Sequence, residues 1–525
     1  MKRRYFLSAS AAALAAPSVS RGQGRNVIKF VPAADLVILD PHWTTSYQTR
    51  DHAFMVFDQL FALDSQFRPQ PQMLEGAVTE ADGRVWKLTL REGLRFHDGE
   101  KVLARDCVAS IQRWGKRDAF GQALLAATDE LSAADDRTII FRLKFPFPLL
   151  PAALGKSSPN MCAIMPERLA RTDAFTQVSE MVGSGPFRFL AAERVAGAKA
   201  AWARNDAYVP RPQGQPAWTA GPKQVNVERV EWTIMPDAGT ASAALQRGEV
   251  DWWLQPDPDL LVLLRRNADM VARTIDPTGL IGTMRFNQLH PPFDNPAIRR
   301  VILGAISQAD YMQSIGGGPE QWRDGIGIFT PGAPMASSAG MEVITAPRDL
   351  AKSREALKAA GYNGERVVFL AGVSVPTIKA VSEITGDLFR KLGINLDFQA
   401  MEWGSLLQRR VKTEPVEQGG WSVMHTFWGG LDHFDPAGHV FLRGNGKQAI
   451  FGWPDAPKVE ALRDEWLRAP DLGTQQSVAA RIQAQALQDV PYIPIGQRLN
   501  PTVYRKYLNG VLDGIPVFWN IKKES

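Results

Sequence analysis

Cys107 and Cys162 are the only cysteines in 525 residues. Two thiols cannot build a sulfur-rich metal centre or a disulfide framework, and a single bridge is the most that an oxidising compartment would allow. Cys107 also falls on the apolar stripe of an expected helix with Leu103, Val108, Ile111 and Trp114, where a small buried hydrophobe is the commoner role. Long apolar runs are missing too. Leu260–Leu264 stops at Arg265-Arg266, far short of the ~18 residues read as a membrane-spanning helix. There is no internal repeat, low-complexity tract, G-x-S-x-G elbow or H-E-x-x-H pair. Charge of one sign is scarce as well. Lysine and arginine number 60 against 55 acids, and the first 24 residues hold four of those bases and no acid. The rest of the chain is nearly neutral, which gives no reason to expect nucleic acid or an anionic membrane as partner.

The first residues are MKRRYFLSASAAALAAPSVSRGQG. A basic start, a short Ala/Leu stretch and small residues at Ser18-Val19-Ser20 fit a removable export signal over 1–24. Arg3-Arg4-Tyr5-Phe6-Leu7 resembles the twin-arginine pattern, which implies export in the folded state, with the general route as the alternative. No cysteine follows the apolar stretch, so no lipid anchor is expected. The expected location is the periplasm.

The length calls for two or three folding units. VIKFV opens with a strand pattern. RVWKLTLREGLRF puts Trp86, Leu88 and Leu90 on one face, and RTIIFRLKFPF does so with Ile139, Phe141, Leu143 and Phe145. This period-two spacing predicts half-buried antiparallel strands around the Cys107 helix, a small α+β unit over 67–182. Asn295-Pro296 is a helix start, followed by a stripe of Ile298, Val301, Ile302, Ala305 and Ile306. Helical spacing recurs at Val459, Leu462 and Trp466, and again at Val478, Ile482 and Ala486. ERVVFLAG and NLDFQAM read as strands among these helices, an α/β alternation.

One stretch concentrates chemistry. GGLDHFDPAGH places Asp432, His433, Asp435 and His439 within eight positions. Three uses compete: a metal site, acid–base catalysis, or a charged anchor for a ligand. A metal wants three or four convergent ligands, and with Asp435-Pro436 breaking the segment between them, no regular element is expected to put His433 and His439 on one face. Catalysis wants a nucleophile beside a base, or two carboxylates at working distance, and no such arrangement is legible. A plain structural loop also fits, because Asp435-Pro436 is a turn starter.

Several stretches together resemble the periplasmic solute-binding proteins of ABC importers, in the dipeptide/oligopeptide/nickel class. FHDGEKVLARDCVAS (Phe96 to Ser110) is similar to the family's F-x-D-G-x-x-x-x-A-x-D-V-x-x-S pattern. LDPHW (Leu39 to Trp43), GSGPFRF (Gly183 to Phe189), LQRGEVD (Leu245 to Asp251), RFNQLHPPFDNPAIRRVI (Arg285 to Ile302) and MEWGSL (Met401 to Leu406) follow in the family's order. The residues themselves are mostly architectural. Asp98-Gly99 is a turn, Asp106 is expected to fix it, and Gly183–Pro186 lacks the Lys-Ser/Thr ending of a phosphate loop.

The resemblance implies an α/β fold: a two-lobed clamshell of the type II periplasmic-binding-protein kind, with an extra small α+β domain on lobe one. The expected division is 25–66, 183–277 and 496–525 for lobe one, 67–182 for the extra domain and 278–495 for lobe two. It also implies a receptor for a short peptide or another amine-bearing solute, handed to importer permease subunits, by a monomer without catalysis or cofactor. A receptor for a metal–chelate complex is the alternative, and a secreted hydrolase a more distant one. Peptide-binding members carry an Asp three residues before an acidic-Pro pair, where it receives the peptide ammonium; Asp432 occupies that slot. Trp403 matches a cleft tryptophan and Trp428 approximates a second. His433 joins them from the same loop, and Trp43 and Tyr47 lie where relatives line the cleft from lobe one. Peptide binders also place an arginine in the strand before this loop, where only His425 stands here.

If Arg3-Arg4 directs folded export, replacing both with lysine leaves the precursor in the cytoplasm. Fractionation and immunoblotting check this, and unchanged secretion would favour the general route.

Overall fold

A computed structural model describes residues 26–524. The expected export signal and its arginine pair lie outside the described residues. Two large sheets organise the chain. The first has seven strands, in the order Met270–Arg273, Thr502–Arg505, Trp252–Trp253, Val27–Val31, Arg229–Thr233, Lys199–Arg204 and Phe187–Phe189. The second has six: Trp322–Arg323, Ile493–Arg498, Leu280–Phe286, Val423–Gly429, Val367–Gly372 and Leu396–Met401. A separate four-stranded antiparallel sheet, from Leu74–Glu80 to Thr128–Ala133, packs on the helix Ala104–Gly115.

Burial explains these assignments. Val27–Val31 is a central strand with parallel neighbours on both sides, so it buries Ile28, Phe30 and Val31, with only Lys29 of its middle exposed. All six residues of Val367–Gly372 are buried for the same reason. In the small sheet, Leu88 and Leu90, Ile139 and Phe141 point inward while their alternate neighbours stay partly exposed. Asn295 caps Pro296–Ala305 by accepting from the Ala297 N–H. The stripes of Pro457–Leu467 and Leu472–Asp489 bury Val459, Trp466, Val478, Ile482 and Ala486. Cys107 and Cys162 are both free and buried, and burial pushes both thiols well above their ordinary range. Among the described residues, no helix is long and apolar enough to cross a membrane.

The chain passes between the two large sheets twice, from Arg273 to Leu280 and from Arg498 to Thr502. Register fixes how the sheets face. In the second sheet Val423–Gly429 runs parallel to Val367–Gly372, which runs parallel to Leu396–Met401. Leu280 pairs with both Gly429 and Arg498. The carboxyl ends of the parallel strands and both crossings therefore share one edge. In the first sheet Val31 pairs with Trp253, Trp253 with Val503 and Arg273 with Thr502, so that sheet also presents its carboxyl edge to the crossings. Open α/β sheets take ligands at such edges.

Three motif residues prove architectural. Gly99 has φ +92, a left-handed turn that suits glycine. Asp106 accepts from the Leu103 and Glu167 N–H groups at 2.8 Å each, holding the helix start against a second helix. Gly185 donates to the Val56 carbonyl at 2.9 Å and leads into Phe187–Phe189 of the first sheet, so this loop is a crossover.

Asp40 of LDPHW is a staple. Its carboxylate takes the Arg113 guanidinium at 2.7 and 3.2 Å, and the Val178 and His42 N–H groups at 2.8 and 2.9 Å. Both side chains are at most 1% exposed. The pair ties the segment after Val27–Val31 to the helix Ala104–Gly115. Breaking a buried pair on one side strands the other charge, which costs about 3–5 kcal/mol. Arg113→Met should therefore lower unfolding stability by that amount in urea titrations. Adding Asp40→Leu should recover part of the loss, because replacing both charges removes the stranded one.

Candidate functional site

The first lobe contributes a helix to the facing edges. Ser46 caps it by accepting from the Thr49 N–H, which makes Tyr47 its first residue. The second lobe contributes the end of Val423–Gly429 and the 3-10 turn Gly430–His433. The Tyr47 hydroxyl donates to Asp432 Oδ2 at 2.6 Å and accepts from the Gly429 N–H at 2.5 Å. Gly430 is needed here by close approach. It donates to the Gly279 carbonyl at 2.7 Å, and a Cβ on it would lie 2.1 Å from the Thr278 oxygen. The turn is thus locked onto the first crossing segment, and Asp432 is swung to the first lobe.

Asp432 is half-buried. Burial raises its pKa above the ordinary carboxylate value, opposed by the Tyr47 hydrogen bond and by the nearby charges of Lys156 and Arg50. Burial, and then the Asp432 charge, push Tyr47 well above the usual phenol range, so its hydroxyl stays a donor. Asp435 turns away from this contact and accepts from the Ala437 and Gly438 N–H groups at 2.8 Å each.

Tyr47 and Gly429 line a cavity of about 200 Å³ between the two sheets, with Arg50, Asp51, Asp276 and Phe427 on its walls. Asp432 is not itself on that wall; it lies behind Tyr47 and Gly429, which touch it. Asp51, 3% exposed, is pushed up to about 6 by burial, partly offset by Arg50, whose Nε lies 2.9 Å away. Burial also raises Asp276, which accepts from the N–H and hydroxyl of Thr278. Open grooves of about 370 and 540 Å³ lie elsewhere, around Arg68 and Arg211 and around Arg95 and Arg168. Both are larger, but neither lies between the facing edges.

The other residues singled out in the sequence are spread around this centre. Trp403 begins the helix Trp403–Arg409 after the edge strand Leu396–Met401, and its N–H donates to Ser374 Oγ at 2.9 Å. Its ring covers Gly372 at the same sheet edge. Trp428 packs on Phe441, with ring centroids 4.5 Å apart, while its neighbour Phe427 takes the cavity side. Trp43 lies under the Arg117 guanidinium, 4.6 Å from the ring, just past the end of the helix Ala104–Gly115.

His433 is buried at 1% exposure. Its Nδ1 sits 3.2 Å from the Gly429 carbonyl, and its ring packs on His439 at 4.4 Å. The six-residue spacing did not predict that meeting; consecutive 3-10 turns produce it. The pair faces Tyr492 and Phe441 in the second lobe's core, and His439 Nε2 lies 2.8 Å from the Tyr492 hydroxyl. Burial lowers His433 to about 4 and His439 well below its ordinary value. His433 therefore sits inward of the wall that Asp432 adjoins. No group of three or more His, Cys, Asp or Glu able to hold a metal occurs among the described residues. His425 is also buried, between Thr385 Oγ1 at 2.7 Å and the Thr283 carbonyl, and burial lowers it to about 4.

Arg50, Asp51, Asp276 and Phe427 were missed in the sequence. The first two carried a usable signal: an adjacent Arg-Asp in TRDHAFMVF, a stretch otherwise rich in buried residues. Asp276 and Phe427 offered none, since only the crossing geometry brings them together.

The chain is similar to known proteins in sequence and in fold. A profile of the bacterial extracellular solute-binding proteins, family 5 Middle, matches residues 68–448. The Sinorhizobium fredii protein named "Probable peptide ABC transporter periplasmic-binding protein" is 34% identical over 521 residues, covering 98% of this chain and 97% of its own. The solved PBP AgaA of A. tumefaciens R10, in complex with agropinic acid, has a TM-score of 0.78 at 19% identity, over 96% of this chain and 99% of its own. A dipeptide binding protein of Pseudoalteromonas sp. SM9913 in complex with Met-Leu has a TM-score of 0.74 at 18% identity, over 95% of this chain and 100% of its own. The mixed α/β architecture matches these two-lobed proteins. The chain belongs to the bacterial extracellular solute-binding proteins, family 5.

Proposed function

We propose that this chain is the periplasmic receptor of an ABC importer, which takes a short peptide or another amine-bearing solute between its lobes and passes it to the permease. The observation that carries the reading is the placement of Asp432, a half-buried carboxylate held at the contact between the lobes. Asp51 and Asp276 line the adjoining cavity, and Arg50 is the one cation among its described lining residues. Such a wall is rich in acceptors and favours a solute that brings donors and positive charge. In a cleft shielded from water, a charge-assisted bond from an ammonium group to Asp432 gives both affinity and orientation.

The name of the Sinorhizobium relative favours a peptide. The Met-Leu and agropinic acid complexes of the structural neighbours indicate that one fold serves different solutes. In this reading the lobes are 25–66 with 183–277 and 499–525, and 278–498, while 67–182 is the added domain; the boundary expected at 496 moves because Ile493–Arg498 is a strand of the second sheet. Closure turns on the crossing segments 274–279 and 499–501. Tyr47 and Trp403 border the solute, Trp43 faces it from the small domain's side, and Trp428 and His433 brace the loop from behind. The protein acts as a monomer and performs no chemistry.

Asp432→Ala leaves the solute's charge without its partner, a loss typically worth about 2–5 kcal/mol. At about 1.4 kcal/mol per tenfold, affinity should fall between roughly thirty-fold and a few thousand-fold. Calorimetry with free and N-acetylated dipeptides, Met-Leu among them, checks this: acetylation should abolish tight binding to the native protein. Free and acetylated peptides binding alike would overturn the reading. His439→Ala should lower stability, because it empties a packed core position, and leave affinity nearly unchanged.

The pH dependence has a definite sign. Binding needs Asp432 ionised, and burial raises its pKa above 3.8. Affinity should therefore be full at neutral pH and fall as pH drops through a value above 3.8. In Asp432→Asn that fall should disappear. An affinity flat down to pH ~4, where ordinary carboxylates titrate, would contradict the assignment.

A further inference from the structure

We infer that Tyr47 is a positioning residue that couples lobe closure to the presentation of Asp432. Its ring belongs to the first lobe, while both partners of its hydroxyl belong to the second. Only one other side-chain hydrogen bond joins the lobes away from the crossing segments among the described residues, the exposed pair Arg265–Glu320. The Tyr47 contact is the sheltered one, at the cavity wall.

The geometry divides the carboxylate's work. Tyr47 occupies Oδ2 of Asp432, which leaves Oδ1 for a cation. The same oxygen of Tyr47 takes the Gly429 N–H, the last backbone donor of the strand, so strand end and turn are registered to the first lobe together. Tyr47 itself is anchored by the Arg50 guanidinium, 5.3 Å from its ring centre. When the lobes part, both hydrogen bonds pass to water and Asp432 loses its fixed orientation. A solute cation thus meets an aligned carboxylate only in the closed protein, and the closed population sets the apparent affinity.

The functional consequence rests on the reading of Asp432 as ligand anchor, but the coupling can be measured without any ligand. The native cysteines are buried, so spin labels can be directed to cysteines introduced at the exposed Val262 and Val411, one on each lobe. Pulsed dipolar spectroscopy of the ligand-free protein then reports the ratio of closed to open forms. Tyr47→Phe keeps the ring and removes the hydroxyl, so its melting curve should stay close to native. Hydrogen bonds to charged groups are worth enough that the closed-to-open ratio should fall roughly tenfold or more. The same exchange made in Asp432→Ala should have a much smaller effect.

An unchanged ratio in Tyr47→Phe would overturn the inference. So would an equally large effect in the Asp432→Ala background, which would route the coupling through Gly429 alone. Failure of the solute reading would look different: free and acetylated dipeptides would bind alike while the ligand-free ratio still responded to Tyr47→Phe.

Discussion

The structure depends on two short crossings that hold the carboxyl edges of two sheets face to face. The segments between Arg273 and Leu280 and between Arg498 and Thr502 are the only passages between the large sheets among the described residues. Because parallel strands end together, every loop beyond those ends projects into one gap. That gap receives the Gly430–His433 turn from one side and the start of the Tyr47–Val56 helix from the other. The cavity follows from topology, and the residues around it follow from where strands stop. In the proposed closure these two crossings serve as the hinge, which would let the gap open without disturbing either core.

Electrostatics within the gap pull in two directions. Burial raises Asp51, Asp276 and Asp432 alike, so each resists ionisation in the closed state. Arg50 and the Tyr47 hydroxyl offset part of that cost for Asp51 and Asp432. A cationic solute would offset more, which makes closure and binding mutually supportive. The Asp40–Arg113 pair shows the contrasting use of buried charge. There, the carboxylate oxygens are filled by the guanidinium and two backbone N–H groups, and the result is a joint between the Asp40 segment and the helix Ala104–Gly115.

Much of this was legible in the residues. Period-two spacing at Trp86, Leu88 and Leu90 marked a strand of the small sheet, Asn295-Pro296 marked a helix start, and the run VVFLAG marked a strand. Asp432 stood out because its neighbours formed a chemistry-rich cluster. What failed to show was anything that depends on distant segments meeting. His433 and His439 were not expected to share a face, yet two successive 3-10 turns bring their rings together edge to face. Trp428 was placed by its resemblance to a cleft tryptophan, but strand alternation sends it to Phe441 and gives Phe427 the cavity. Asp276 lies in a crossing segment whose position no local pattern encodes. Tyr47 was legible as a cleft residue, while its hydrogen bond to Asp432 spans 385 positions.

The most direct test is a crystal structure of the protein with the solute that co-purifies with it. The account predicts closed lobes, with a ligand nitrogen about 2.7–2.9 Å from the free oxygen of Asp432, and with the Tyr47 hydroxyl still on the other oxygen. A solute bound without contact to Asp432, or held in the groove around Arg68 and Arg211, would contradict it.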